Sequence, residues 1–285
     1  MSRTMQLAII AIILMNVAAL TSTARANECE HSAERKGQLD AAGAKRIEIK
    51  ARAGNLRITG EKGGGVVASG MACASSEKVL EGIQLLTRRD GDGLLVEVVM
   101  PDRETMEGGG GGLFGSNYAS LDLTVRVPDN VPLVVTDSSG DAEITSVASA
   151  DVTDSSGELR IRDVPGNLRV RDSSGEIILR NIGGNLELQD SSGDVRVSDV
   201  AGNVEVSVDS SGDLDIERVK RDVVIGQDSS GSIVIADVDG SVRIDHDGSG
   251  DVDVRRVKGK FTLGSKGSGD VRESEIGGGV DIRNH

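Results

Sequence analysis

Rings are almost missing from this chain. Of 285 residues only Phe114, Tyr118 and Phe261 are aromatic, and there is no tryptophan. A globular core of ordinary make is argued against, since large aromatic side chains normally supply much of its buried area. Platforms on which a groove could stack sugars are missing too. Histidine is equally sparse: His31, His246 and His285 lie in unrelated contexts, and none recurs beside the abundant serines and aspartates. That argues against a serine nucleophile with a histidine base. Each histidine reads as a solvated surface residue.

Two cysteines, Cys29 and Cys73, are too few for a cysteine metal cluster. In an oxidising compartment they read as one disulfide tying an N-terminal arm to the body, the alternative being two free thiols. Basic residues are outnumbered as well. The formal net charge is −14, which argues against nucleic acid and anionic lipid as partners. One long apolar run exists, Leu7 to Leu20, interrupted only by Asn16. Arg3 precedes it and Ala24-Arg25-Ala26 follows, which predicts a secretory signal over residues 1–26, cleaved after Ala26. The run is too short and wrongly flanked for a membrane span, and Glu28 before Cys29 argues against a lipid anchor. Removing the leader's two arginines leaves a balance near −16.

What is present is a repeat. "DSSG" begins at Asp137, Asp154, Asp172, Asp190, Asp209 and Asp228, then becomes "DGSG" at Asp247 and "KGSG" at Lys266. The glycines of these corners, Gly140, Gly157, Gly175, Gly193, Gly212, Gly231, Gly250 and Gly269, are spaced 17, 18, 18, 19, 19, 19 and 19 residues apart. A second turn falls in mid-unit, as at "PGN" (Pro165), "GGN" (Gly183) and "AGN" (Ala201). Between turns, apolar and polar residues alternate in the manner of half-buried strands. One unit supplies Leu159, Ile161, Val164, Leu168 and Val170; the next supplies Ile177, Leu179, Ile182, Leu186 and Leu188. The same slots continue to Val252, Val254, Val257, Phe261 and Leu263.

Two short strands and two turns of about 18–19 residues form one coil of an all-β, parallel β-solenoid. A single coil cannot bury its apolar face alone, hence the many copies. Its core is a thin slab suited to Val, Ile and Leu. Glu273 replaces an apolar residue in the last unit, as expected of a terminal coil that blunts its edge.

Residues 27–130 read as a β-rich cap with entry strands, and 131–285 as the repeats. In the cap, "RIEIKARAGNLRITG" and "GGGVVASG" read as strands, and "SSEKVLEGI" as a short helix capped by Ser75 or Ser76. "IQLLTRRDGDGLLVEVVMPD" reads as a hairpin turning at Asp90–Gly93, and "GGGGGLFGSNY" as a loop. Phe114 and Tyr118 in that loop either plug the end of the core or form a contact patch for a partner.

"LDLTVRVPDNVPLVVTDSSGDAEI", followed by units such as "SSGDVRVSDVAGNVEV", resembles a bacterial β-strand-repeat domain of unknown function that carries the name adhesin by analogy. It is similar, too, to the head domains of autotransporter adhesins. The resemblance covers about Arg46 to Arg283. It implies a parallel, right-handed β-helix on exported or envelope proteins, and no catalytic residues to carry over. No block of membrane-type strands follows the repeats, so an autotransporter barrel is not expected.

Two chemistries compete for the "DSSG" column. The plain reading is a corner: Asp accepts backbone N–H groups from the second Ser and the Gly, Gly turns the chain, and Ser hydroxyls bridge coils. The sharper one is a cation ladder along Asp154, Asp172, Asp190, Asp209 and Asp228. Calcium-binding β-rolls place ligands in both turns of a coil, however, and the second turn here lacks them, so the corner is preferred and no metal is expected. A second acidic column, Asp141, Glu158, Glu176, Asp194, Asp213, Asp251 and Asp270, lies four positions on. The outward residues are mixed charges, and pairs such as Arg169 and Glu187 read as cross-strand stabilisation.

The resulting expectation is an exported, non-enzymatic scaffold or adhesin-like binding protein of the bacterial envelope. It would lie in the periplasm or outside the cell, with an unknown envelope or surface ligand, no cofactor and no membrane span. The rival is a carbohydrate-active β-helix. A groove lined by paired carboxylates would favour the rival; a mixed-charge wall would favour the scaffold.

Overall fold

The computed structural model describes residues 29–108 and 117–283. The expected leader and Phe114 lie outside the described residues. The N-terminal region comprises β1 (His31–Asp40), β2 (Arg46–Lys50), β3 (Leu56–Glu61), β4 (Gly65–Ala74), α1 (Glu77–Gly82), β5 (Gln84–Asp90), β6 (Gly93–Val99), α2 (Arg103–Gly108) and β7 (Ala119–Pro128). The repeats then alternate strands between two walls. They begin with β8 (Leu133–Thr136), β9 (Ala142–Thr145), β10 (Ala150–Thr153), β11 (Leu159–Val164), β12 (Leu168–Arg171), β13 (Ile177–Ile182), β14 (Leu186–Gln189) and β15 (Val195–Val200). They continue as β16 (Val204–Asp209), β17 (Leu214–Val219), β18 (Val223–Asp228), β19 (Ile233–Val238), β20 (Val242–Ser249), β21 (Val252–Val257), β22 (Phe261–Ser268), β23 (Val271–Ile276) and β24 (Val280–Ile282).

Two 12-stranded sheets result, and the repeats pair in parallel throughout, so the expected β-solenoid is what the chain forms. Equivalent residues stack in register: Leu168 on Leu186, Leu186 on Val204, and Val204 on Val223. All five aliphatic slots of the units from Leu159 to Leu263 are buried. Phe261, one of the few rings, is fully buried and takes the place that Val242 fills one coil earlier.

Each inward set has a break in its alternation, as in Leu159, Ile161, Val164. At the break a non-glycine residue adopts left-handed backbone: Asp163, Asn181, Asp199, Arg218, Asp237, Arg256 and Glu275 have φ between 53° and 61°. Asn and Asp tolerate this region; Arg and Glu are uncommon there. The twist lets a six-residue strand bury its last residue on the same side as its first.

The N-terminal region is interleaved with the stack. β2 pairs in parallel with β8 on one side and β6 on the other, and β3 likewise lies between β9 and β7. The chain therefore lays down the β2–β3 coil first and later places β6 and β7 outside it. Antiparallel β4 and β1 extend one sheet beyond β7, and β5 extends the other beyond β6. The turn between β5 and β6 falls where the hairpin was expected. α1 is capped by Ser76, whose hydroxyl accepts from Val79 N–H. Arg35 of β1 donates to the carbonyls of Leu80 and Ile83 at 2.9 and 2.8 Å, which ties the arm to the end of α1.

Candidate functional site

The Gly corner is the narrowest part of each coil. The glycines from Gly140 to Gly269 have φ between 101° and 137°. A Cβ on Gly193 would lie 1.7 Å from the Gly175 carbonyl oxygen. Coils touch there backbone to backbone, so both conformation and contact demand glycine. The neighbouring serines bridge coils as expected: Ser174 Oγ donates to Ser155 O and Ser192 Oγ to Ser173 O, both at 3.1 Å.

The aspartates that open the corners are not where an edge column would put them. Asp137, Asp154, Asp172, Asp190, Asp209, Asp228 and Asp247 are at most 5% exposed, sealed inside the solenoid. Strand parity places Asp137, Asp154, Asp172 and Asp190 inside, whereas Asp209, Asp228 and Asp247 come inside one residue later, past the register shift between β14 and β16. In β12, Leu168 and Val170 face inward, so Asp172 does as well. The expected second Ser contributes to Asp137, Asp154 and Asp190, but after the first Ser, which was not expected. Ser138, Ser155 and Ser191 each donate N–H, at 2.8 Å, to the Asp immediately before. Both carboxyl oxygens of Asp172, Asp209 and Asp228 are buried without a hydrogen-bond partner.

Burial therefore dominates their titration. It pushes Asp137 up to about 7, with repulsion from Asp154 adding to it. Asp154 is raised by the same burial. Asp172, Asp190 and Asp209 are pushed up to about 6, again chiefly by burial. Asp228 is pushed up to about 8 by burial, with the neighbouring Asp247 and Asp209 adding to it. The column ends on a cation. Lys266 is register-paired with Asp247, and its side chain is only 5% exposed. Its ammonium lies 2.5 Å from Asp247 Oδ2, 2.6 Å from Gly250 O and 2.5 Å from Ser268 O. Among the described residues, no group of three or more His, Cys, Asp or Glu side chains is arranged to hold a metal ion.

The second acidic column behaves differently. Asp141, Asp194, Asp213 and Asp251 are in contact with solvent, and each accepts the backbone N–H of the equivalent residue one coil on, at 2.9–3.1 Å. A matching ladder runs through the mid-unit turn, where Asn167 accepts from Asn185 N–H, and Asn185 from Asn203 N–H.

The outer wall is not the uniform mixed-charge surface expected of a pure scaffold. A groove of about 1070 Å³ opens beside the left-handed residues. Val200, Val257 and Ile276 line it, between Asp199, Arg218, Asp237 and Arg256 on one rail and Lys220, Asp239 and Lys258 on the other. Its charges are paired. Arg218 donates twice to Asp199, at 2.7 and 2.9 Å, and Arg256 twice to Asp237, at 2.7 and 2.8 Å. Lys258 and Lys220 flank Asp239 at 2.7 and 3.3 Å. Hydrogen bonds from these bases hold Asp199, Asp237 and Asp239 below the usual carboxylate range. A glycosidase acid needs the opposite shift. On another outer face Arg169 Nε donates to Glu187 at 2.7 Å, the anticipated cross-strand pair.

Cys29 and Cys73 form the disulfide, with Cα atoms 5.6 Å apart, which joins the chain just before β1 to β4. Tyr118 is 37% exposed, and its hydroxyl accepts Glu30 N–H at 3.1 Å. Its backbone pairs with Ser75, so it borders the arm beside the disulfide. Among the described residues, no helix is long and apolar enough to cross a membrane.

No family model matches the chain, and no curated protein does. Solved structures do. One is a "putative cell adhesion protein" from Clostridium sporogenes, 13% identical, covering 86% of this chain and 100% of its own, with a TM-score of 0.33. A "putative lipid binding protein" from Parabacteroides distasonis is 13% identical over 88% of this chain and 96% of its own, at 0.38. A "putative adhesin" from Bacteroides fragilis is 13% identical over 89% and 97%, at 0.30. Superpositions this loose carry no argument about activity, and the fold rests on the strand pairing of the chain itself.

Proposed function

We propose that this chain is an exported, non-enzymatic β-solenoid that presents a binding surface at the bacterial envelope, in the periplasm or outside the cell. The disulfide supports an oxidising compartment. The observation that carries the binding reading is the groove: an apolar floor runs across several coils between rails whose acids are spent on neighbouring arginines and lysines. Such a trough suits a ligand laid along the solenoid axis. It holds no acid kept protonated for leaving-group chemistry.

The test compares capture from envelope extracts by the full chain and by a Lys220→Glu/Lys258→Glu variant, which reverses exposed rail charges without entering the core, with the bound material identified. Loss of one identified component from the variant supports the groove; equal recovery overturns it. The same protein is incubated with envelope polysaccharides. New reducing ends or unsaturated uronates would replace the scaffold reading with the carbohydrate-active one.

A further inference from the structure

The buried aspartate column has no part in that groove, and it poses a separate problem. Seven carboxyls, one per coil, are sealed from water with a single internal ammonium, Lys266, at one end. Equivalent residues of parallel neighbours lie ~4.8 Å apart. Seven buried charges at that spacing cannot coexist, because desolvation and mutual repulsion both oppose them.

Two remedies are open: metal ions or protons. A calcium site calls for six or more oxygens around one point. One carboxyl per coil gives any point between coils two carboxylates, and no convergent group of three is formed among the described residues. A proton needs no shell of ligands. A neutral carboxyl donates its O–H to the carboxyl of the next coil, which would occupy the oxygens that Asp172, Asp209 and Asp228 leave without partners. Asp228 and Asp247 are register-paired on adjacent coils, so such a bond has its partner in place.

We propose that the column from Asp137 to Asp247 is a proton store, in which buried carboxyls keep shared protons in mild acid, where exposed carboxyls have lost theirs, and pass hydrogen bonds from coil to coil, with Lys266 fixing one charge at the end. The groups facing it are few. They are its own members above and below, Asp194 near Asp209, and Lys266 near Asp228 and Asp247. The remaining inward slots of both sheets are apolar, aliphatic but for Phe261. The titration supports the geometry: the folded-state values are raised to about 6, 7 and 8. Groups raised on folding stabilise fully below their unfolded value of about 4, and that stabilisation is lost as pH climbs through the folded values. The coil stack is tightest in mild acid and loosens through neutrality into the alkaline range.

The test uses the full chain. Infrared spectra in heavy water at about pH 5 should show the C=O stretch of protonated carboxyls, lost in proportion in Asp172→Asn/Asp190→Asn/Asp209→Asn. The wild-type melting midpoint should fall steadily from about pH 5 to about pH 8, and the triple variant, which carries amides for three acids, should show a shallower fall. Absence of the band, or a midpoint that is flat or rising over that range, overturns the proposal. A midpoint in alkali that calcium chloride restores and EDTA lowers overturns it in favour of a metal ladder. If the triple variant does not fold, single Asp190→Asn and the wild-type spectrum still decide.

Discussion

Two columns of acids run along this solenoid four residues apart, on the same repeat, and they end in opposite states. Asp190 is buried and raised; Asp194 sits in solvent contact and accepts Asp213 N–H. The corner glycine between them separates an inward slot from an outward one. Composition does not distinguish the two columns; the turn at the corner does. An acid outside lends its oxygens to the next coil and contributes cohesion. An acid inside must find a proton or a counter-ion, and only Asp247 has the latter, from Lys266.

The most disruptive way to break this comparison is to remove the corner that both columns share. Gly193→Ala sets a Cβ against Gly175 O in a backbone that L residues avoid, and should cost about 3–5 kcal/mol, read as a lower urea midpoint. Next in size, Cys29→Ser/Cys73→Ser opens the arm without touching either column. It should cost about 2–4 kcal/mol and leave the shape of the pH–stability curve unchanged. A change in that shape would mean that the arm and the column are coupled.

The columns themselves are separated by a pair of variants. Asp194→Ala should lower stability by about 1 kcal/mol, since a hydrogen bond to the next coil is lost. Asp190→Asn should instead raise the melting midpoint at about pH 8, where the native acid is forced to ionise in the interior. Equal signs for the two in alkali would erase the distinction. Smallest of all, Arg218→Gln removes an exposed bidentate pair with Asp199 and should cost less than about 1 kcal/mol, diminishing further in high salt.

The repeat made most of the fold legible. Five aliphatic slots per unit, the glycine corners and the cap of α1 each followed from local pattern, and each is where it was expected. Five features were not read. The burial of the aspartates was masked by residue type, because Asp-Ser-Ser-Gly says turn; the alternation Leu168, Val170, Asp172 had already placed the carboxyl inside. The left-handed column lacks glycine, the usual cue, and its trace was the odd step from Ile161 to Val164. β1 gave no apolar signal because "HSAERKGQLD" is partly exposed along both faces of an edge strand. The placement of β6 and β7 outside β2 and β3 is a long-range pairing that no local pattern encodes. The groove is likewise a product of stacking: its rails come from residues 19 positions apart, such as Asp199 and Arg218, or Lys220 and Asp239.

The glycine contacts also constrain how such a molecule can change over generations. Where each corner rests its backbone on the carbonyl beneath, a partial unit cannot be inserted without lifting the coils above it. Length is therefore gained or lost in whole units. Each duplication lengthens the rod by one rung of ~4.8 Å, extends the groove outside and adds one acid within. Reach and proton capacity are thus written by a single genetic event, in integers.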